Sequence, residues 1–351
     1  MPGEARLSLR RNIHFESGRM PDVGRCVEAR LPTDLPTGFP AGLTESGGGP
    51  IFLRMKLRSA LLVTLLAAFL ASPPGAHARA QAAEPADGVV LGPPSRLSAL
   101  APAESVEAQA LTQYRQLLDK AAAAKALAPA GHPQVQRLRR IAGRLIPHAT
   151  RFNERAVHWK WEVNLIGSKQ VNAFCMPGGK IAFYSGILDT LKLTDDEIAI
   201  VMGHEIAHAL REHGRERVGK ARLAQGLTIG ASILSQLFGY GDLGGHLASG
   251  AAQLTMLKFG RDDEVEADLV GMDIAARAGF DPRAGIVLWE KMAAASKGQP
   301  PEWLSTHPSH ETRVEEIRRN LQATLPLYAR TRGTTAAALP AYRSNNGAAV
   351  R

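Results

Sequence analysis

A mainly helical α+β domain with a small antiparallel sheet is what this sequence predicts, on three observations. Apolar residues recur at helical spacing through the middle of the chain, three short runs alternate at the period of a strand, and a capping signature opens one long apolar helix. At 351 residues the chain has length for two domains, but neither end carries hydrophobic periodicity, so one domain of ordinary size is expected in between.

Residues 1–54 are rich in Gly, Pro and Arg, and are expected to be an extension upstream of the true start at Met55. From there, Lys56 and Arg58 supply a basic start, Ala60 to Ala71 an apolar run and Ala76, His77 and Ala78 a small-x-small cleavage site, the three parts of a secretory signal peptide over 55–78. The run is shorter than the roughly 20 residues a permanent span needs, and no second long one follows. Export to a periplasm, with the mature chain free or held peripherally at a membrane, is the resulting expectation.

Residues 79–102 are Ala- and Pro-rich without periodicity and are expected to form an extended linker. The folded domain is placed at 103–328. Leu111, Tyr114, Leu117 and Leu118 share one helical face, and Val135, Leu138, Ile141, Leu145 and Ile146 mark a second helix after Pro133. Trp161, Val163 and Leu165 alternate with Glu162 and Asn164 as in a half-buried strand, and 171–174 and 180–184 make two more strands around the turn Met176-Pro177-Gly178-Gly179.

Thr194 and Glu197 form a capping box, because the Thr hydroxyl can accept from the third helical N–H while the Glu carboxylate reaches back to the Thr backbone. A helix over 195–212 follows. Residues 226–250 are apolar but broken by Gly239, Gly241, Gly244 and Gly245, the pattern of a flap or helical hairpin. Further helices are expected over 262–277, from Asp281 and Pro282 onward, and over 309–323, with a disordered tail over 329–351.

The formal charge is +9, dispersed along helical segments without interleaved aromatics, so nucleic acid binding is not expected, while anionic lipid surfaces remain compatible. Cys26 lies in the upstream segment, which leaves Cys175 alone in the mature chain and excludes an intramolecular disulfide there. Cys175 is expected to pack as a small residue.

The chemistry concentrates in His204-Glu205-Ile206-Ala207-His208. Residues four apart stand one turn above each other, so both imidazoles can reach one ion, with Glu205 set to take a proton from a water at the same ion. Such a site needs three protein ligands and an open position. Glu264 can complete it, with Asp268 one turn on accepting from the far nitrogen of a ligand His, but Asp262, Asp263 and Glu266 are rivals on chemistry alone.

Four motifs in order resemble a family of zinc metallopeptidases that takes in HtpX, the CaaX prenyl endopeptidases, the Oma-type mitochondrial peptidase and the bacterial periplasmic peptidases LoiP and BepA. They are Asn172-Ala173-Phe174 with Pro177-Gly178-Gly179; the His204 to His208 motif; Glu264 with Ala267 and Asp268; and Thr306-His307-Pro308 with Arg313, together spanning about 105–325. The resemblance implies a gluzincin-type domain binding one Zn2+ through His204, His208 and Glu264, with Glu205 as general base and Asp268 behind a ligand. It leaves Glu266 an ordinary helix residue. It gives His307 and Arg313 catalytic roles, His307 either plugging the open position or helping to stabilise the oxyanion.

It also implies that Asn172, Ala173 and Phe174 form a sheet edge that takes extended peptide, so that unfolded or misfolded polypeptides are the expected substrates. The likeness is greatest to the LoiP group, from Met176 through Tyr184, Ser185 and Gly186. Two departures are a missing lipoprotein cysteine and too little chain after Leu325 for a repeat domain of the BepA kind. His148, His158, His213 and His246 are read as structural or exposed.

Overall fold

The computed structural model describes residues 87–225, 259–296, 301–308 and 311–350. The expectations for the upstream segment, the signal peptide, the glycine-rich segment and His246 lie outside the described residues. Nine described helices and five strands follow in the order α1 (Ala103–Ala123), α2 (Pro133–Leu145), β1 (Glu162–Ile166), β2 (Ala173–Met176), β3 (Lys180–Tyr184), α3 (Ser185–Leu191), α4 (Asp195–Leu210), α5 (His213–Gln225), α6 (Arg261–Arg277), α7 (Ala284–Ala295), α8 (Glu302–Thr306), α9 (Glu311–Thr331), β4 (Tyr342–Arg343) and β5 (Ala349–Val350). The mainly helical α+β class expected from the sequence is the one observed.

The sheet itself is mixed, which corrects the expected antiparallel arrangement. Its order is β1-β3-β2; β2 and β3 form the antiparallel hairpin around Gly178 and Gly179, while β1 lies parallel to β3 on its other side. Alternation in sequence is the same for either pairing, so the residues of β1 carried no sign of it. Both turn glycines have positive φ, and a Cβ on Gly179 would sit 2.7 Å from the Trp161 ring.

Side chains of β3 divide by parity between two cores. Ile181 and Phe183 enter the main core with α2, α4, α6 and α7, whereas Ala182 and Tyr184 face α1 in a second cluster with Tyr114 and Phe174. The strands are therefore covered on both faces, and Tyr114 donates its hydroxyl to the Ile181 carbonyl at 2.7 Å. At one end of the order, β2 has no strand paired to its outer edge among the described residues.

Helix α4 has the expected cap: Glu197 N–H donates to Thr194 Oγ1 at 3.3 Å, and Thr194 N–H donates to Glu197 Oε2 at 2.8 Å. Beyond its first turn the helix is buried all round, between the sheet and α6. Helices α4 and α6 cross backbone against backbone at Gly203 and Gly271, where an added Cβ would meet Gly271 O at 2.8 Å or His204 N at 2.7 Å.

The segment expected as an extended linker and the one expected as a disordered tail both carry secondary structure where described. In place of an extended linker up to residue 102, Val89 N–H donates to the buried Asp273 carboxylate, and a short 3-10 helix at Arg96–Leu100 has carbonyls gripped by Arg215 and Arg222 of α5. In place of a disordered tail, α9 continues through Pro326 to Thr331, and β4 pairs with β5 so that Tyr342 and Val350 enter the main core. Polar contacts from distant residues add to the hold on both, from Arg215 and Arg222 on the first and from Lys291 and Glu197 on the second, and such contacts leave no hydrophobic period to read.

Candidate metal centre

The capped helix α4 presents His204, Glu205 and His208, all buried, toward α6 and the loop after α8. The close crossing at Gly203 and Gly271 brings Glu264 and Asp268 of α6 beside the two imidazoles, and α8 delivers His307 from the other side. The ligand atoms of His204, His208, Glu264 and His307 lie within 4.8 Å of one another. His204 Nε2 is 3.0 Å from His208 Nε2, 3.2 Å from His307 Nδ1 and 3.5 Å from Glu264 Oε2, and Glu264 Oε1 is 3.5 Å from His208 Nε2 and 3.0 Å from His307 Nδ1.

Donors placed around one zinc at about 2.0–2.1 Å in a tetrahedron would stand roughly 3.3 Å apart, so this set has the dimensions of a metal site. The protons point the same way. Asp268 accepts from His204 Nδ1 at 3.0 Å, which leaves His204 Nε2 as a bare lone pair. His208 Nδ1 faces His213 Nδ1 at 2.9 Å, and His213 Nε2 donates to Glu266 Oε2 at 2.8 Å, so the Nε2 of His208 is bare as well. Two lone pairs 3.0 Å apart repel unless a cation lies between them.

Electrostatics favour a neutral His208. Burial, reinforced by the rings of His204, His307 and His213, holds His208 well below the usual histidine range and so neutral. Burial alone would raise Asp268, but Arg313 and then His204 outweigh it and bring the carboxyl down to about 2. Glu264 is likewise lowered against its burial by His307 and Arg313. For His307, burial is outweighed by the carboxylates of Glu205 and Glu264, and its pKa rises.

Arg313 is fully buried behind the ligands. Its Nε and Nη2 donate to the two Asp268 oxygens at 2.7 Å each, and its Nη1 donates to Glu264 Oε2 at 2.6 Å. Arg313 thus holds both carboxylates, and its Nη2 also lies 3.5 Å from His204 Nδ1. Glu205 accepts from the Trp303 indole N–H at 2.6 Å and lies 3.6 Å from His307 Nε2.

Four residues that the sequence left without a role belong to this site. His213 and Glu266, read as structural and ordinary, continue the hydrogen-bond line from His208. Trp303 and Phe259 sandwich the His307 ring at centroid distances of 4.9 and 5.1 Å, and Phe259 also stacks on His208 at 3.9 Å. The four-residue spacing of Trp303 and His307 was a readable sign; for Phe259 no local signal exists, because it joins the site through contacts with residues distant in sequence, its ring stacking on His208 and His307 and its N–H donating to the Thr306 carbonyl.

The edge strand expected at Asn172, Ala173 and Phe174 is β2, with Asn172 just ahead of it and its carbonyl accepting from Tyr184 N–H. A narrow cleft runs from there to the cluster, lined by Asn172, Ala173, Cys175, Glu205, Phe259 and His307. Cys175 is buried, and burial pushes its thiol well up, as suits a packing residue. No described helix is long and apolar enough to cross a membrane.

With this geometry established, comparison with known proteins gives consistent matches. The model of peptidase family M48 matches residues 133–321. The mitochondrial metalloendopeptidase OMA1 of Schizosaccharomyces pombe is 33% identical over 192 residues, covering 54% of this chain and 53% of the relative. The bovine mitochondrial metalloendopeptidase OMA1 is 34% identical over 179 residues, covering 48% and 34%. The β-barrel assembly-enhancing protease of Escherichia coli is 32% identical over 203 residues, covering 55% and 40%. The chain thus spans between a third and about half the length of these relatives.

Proposed function

Because this chain belongs to peptidase family M48, we propose that it is a zinc-dependent endopeptidase that cleaves unfolded, misfolded or unassembled proteins in a periplasm. The observation that carries this reading is the convergence of three imidazoles and one carboxylate on a single point, with the Glu205 carboxylate alongside. His204, His208 and Glu264 are the ligands in this reading. Zinc bound by them would polarise a scissile carbonyl and make a neighbouring water more acidic.

Glu205 then takes the proton from that water and returns it to the departing amine. Asp268 and Arg313 hold the ligands in orientation from behind. A peptide laid along the outer edge of β2 would be held by main-chain hydrogen bonds, which demand extended backbone and little sequence, and so favour unfolded segments. The name of the Escherichia coli relative, a protease that enhances β-barrel assembly, fits that substrate class. Periplasmic placement rests on the signal-like pattern of residues 55–78.

Glu205→Gln is expected to keep its zinc and lose cleavage of unfolded casein; undiminished cleavage would sink the mechanism. A second reading is favoured by the donor count. With His307 in place there are four protein donors, the number of a structural site, so a chaperone-like binding protein with a plugged zinc is the competing function. The same variant separates them: a chaperone suppresses aggregation equally well after Glu205→Gln, whereas the peptidase reading requires the effect to vanish.

A further inference from the structure

We propose that His213 and Glu266 are positioning residues that fix His208 in the one tautomer able to bind a metal. This rests on the metal-centre reading above. It is carried by the direction of three successive hydrogen bonds. Arg211 Nη2 donates to Glu266 Oε1 at 2.7 Å and to the Gly92 carbonyl at 2.6 Å, which pins the carboxylate as an acceptor. Glu266 Oε2 then takes the Nε2–H of His213 at 2.8 Å. A neutral imidazole has one N–H, so His213 Nδ1 is left to accept, and its partner at 2.9 Å, His208 Nδ1, must carry the proton. The remaining nitrogen of His208, Nε2, is thereby bare and faces the other donors.

The arrangement parallels the one behind His204, where Asp268 backed by Arg313 accepts directly from Nδ1. For His208 the carboxylate is one imidazole farther away, and His213 spans the gap. The chain bends here: Glu212, the residue before His213, has φ +60°, a left-handed backbone that L residues rarely adopt. That bend starts α5 with the His213 ring folded back on His208, 5.0 Å between centroids. Neighbours that orient metal-bound histidines set both tautomer and basicity.

The test is zinc affinity of the full chain, measured by competition with a chromophoric chelator, beside the thermal melt of the metal-free protein. His213→Leu and Glu266→Leu are expected to weaken zinc binding by about 10–100-fold. His213→Asn, whose side-chain carbonyl oxygen sits as many bonds from Cβ as Nδ1 and can accept from His208 Nδ1–H, is expected to recover most of that loss. A purely structural role would lower the metal-free melt and leave affinity alone. Wild-type affinity in either Leu variant, or an Asn variant as weak as Leu, overturns the proposal. If His213→Leu does not fold, Glu266→Leu carries the same test from a side chain 24% exposed. Wild-type protein that takes up no zinc would overturn the metal-centre reading itself, a result distinct from tight binding that the variants leave unchanged.

Discussion

Trp303 donates its indole N–H to Glu205 Oε1 across 2.6 Å, inside a core where both side chains are almost fully enclosed. The bond fixes one carboxylate oxygen, and the same indole stacks on His307 at an interplanar angle of 22°. Trp303→Phe keeps the stacking and removes only the donor. Hydrogen bonds to charged groups contribute about 1.5–3 kcal/mol, so kcat is expected to fall at least about tenfold. Steady-state kinetics with metal analysis should find KM and zinc content unchanged; a fall in zinc content would reassign Trp303 to ligand support.

At the crossing of α4 and α6, Gly271→Ala places a methyl 2.7 Å from His204 N and 2.8 Å from Gly203 C, both backbone atoms. Overpacking of this kind costs about 1–3 kcal/mol and must move α6 outward. Lower melting temperature and weaker zinc binding are expected together. Gly285→Ala is the control, since its methyl would meet only side-chain carbons at 3.7 Å or more and would remove a helix glycine, raising stability by about 0.5–1 kcal/mol.

Arg313→Leu strands two buried carboxylates, Glu264 and Asp268, without their shared cation. Breaking a buried pair from one side costs about 3–5 kcal/mol, which chemical denaturation of the metal-free protein should register. Arg313→Lys retains charge but cannot present the planar fork that reaches both acids, so it is expected to recover part of the stability and little of the zinc affinity.

Burial pushes the Asp196 carboxyl up to about 6; the Asp281 N–H opposes the shift, while the charges of Asp281 and Asp195 add to it and Arg144 opposes. A carboxyl raised on folding stabilises the fold below its unfolded pKa, and that contribution disappears as pH climbs through the folded value. Asp196→Asn keeps an oxygen for the Asp281 N–H and never ionises. Its melting temperature relative to wild type should therefore rise from pH 4 to pH 8, with the change centred between the two pKa values. A difference that is flat with pH would contradict the assignment.

Legibility in the sequence followed how local each signal was. The metal helix was readable because its cap and its two histidines lie within one continuous stretch whose geometry is fixed by 3.6 residues per turn. Glu264 could not be chosen from its acidic neighbours by spacing, since the choice depends on where α6 crosses α4, and that is set by Gly203 and Gly271, far apart in the chain. His213 and Trp303 are likewise recruited through contacts with another element. The parallel pairing of β1 escaped because a strand's alternation records which faces are covered and says nothing of its neighbour's direction.

Glu197 has a consequence for the order of assembly. Its carboxylate closes the first turn of α4, yet it also accepts from Lys291 at 2.7 Å and from the Ser344 hydroxyl at 2.6 Å, a partner 147 positions later. A chain that emerges from its N-terminal end holds the motif-bearing segment long before the contacts that neutralise this acid exist. Closing so wide a loop is slow, and little rewards it until the distant hairpin has docked. The ion-binding helix therefore starts early and is locked late, by residues near the other end of the polypeptide.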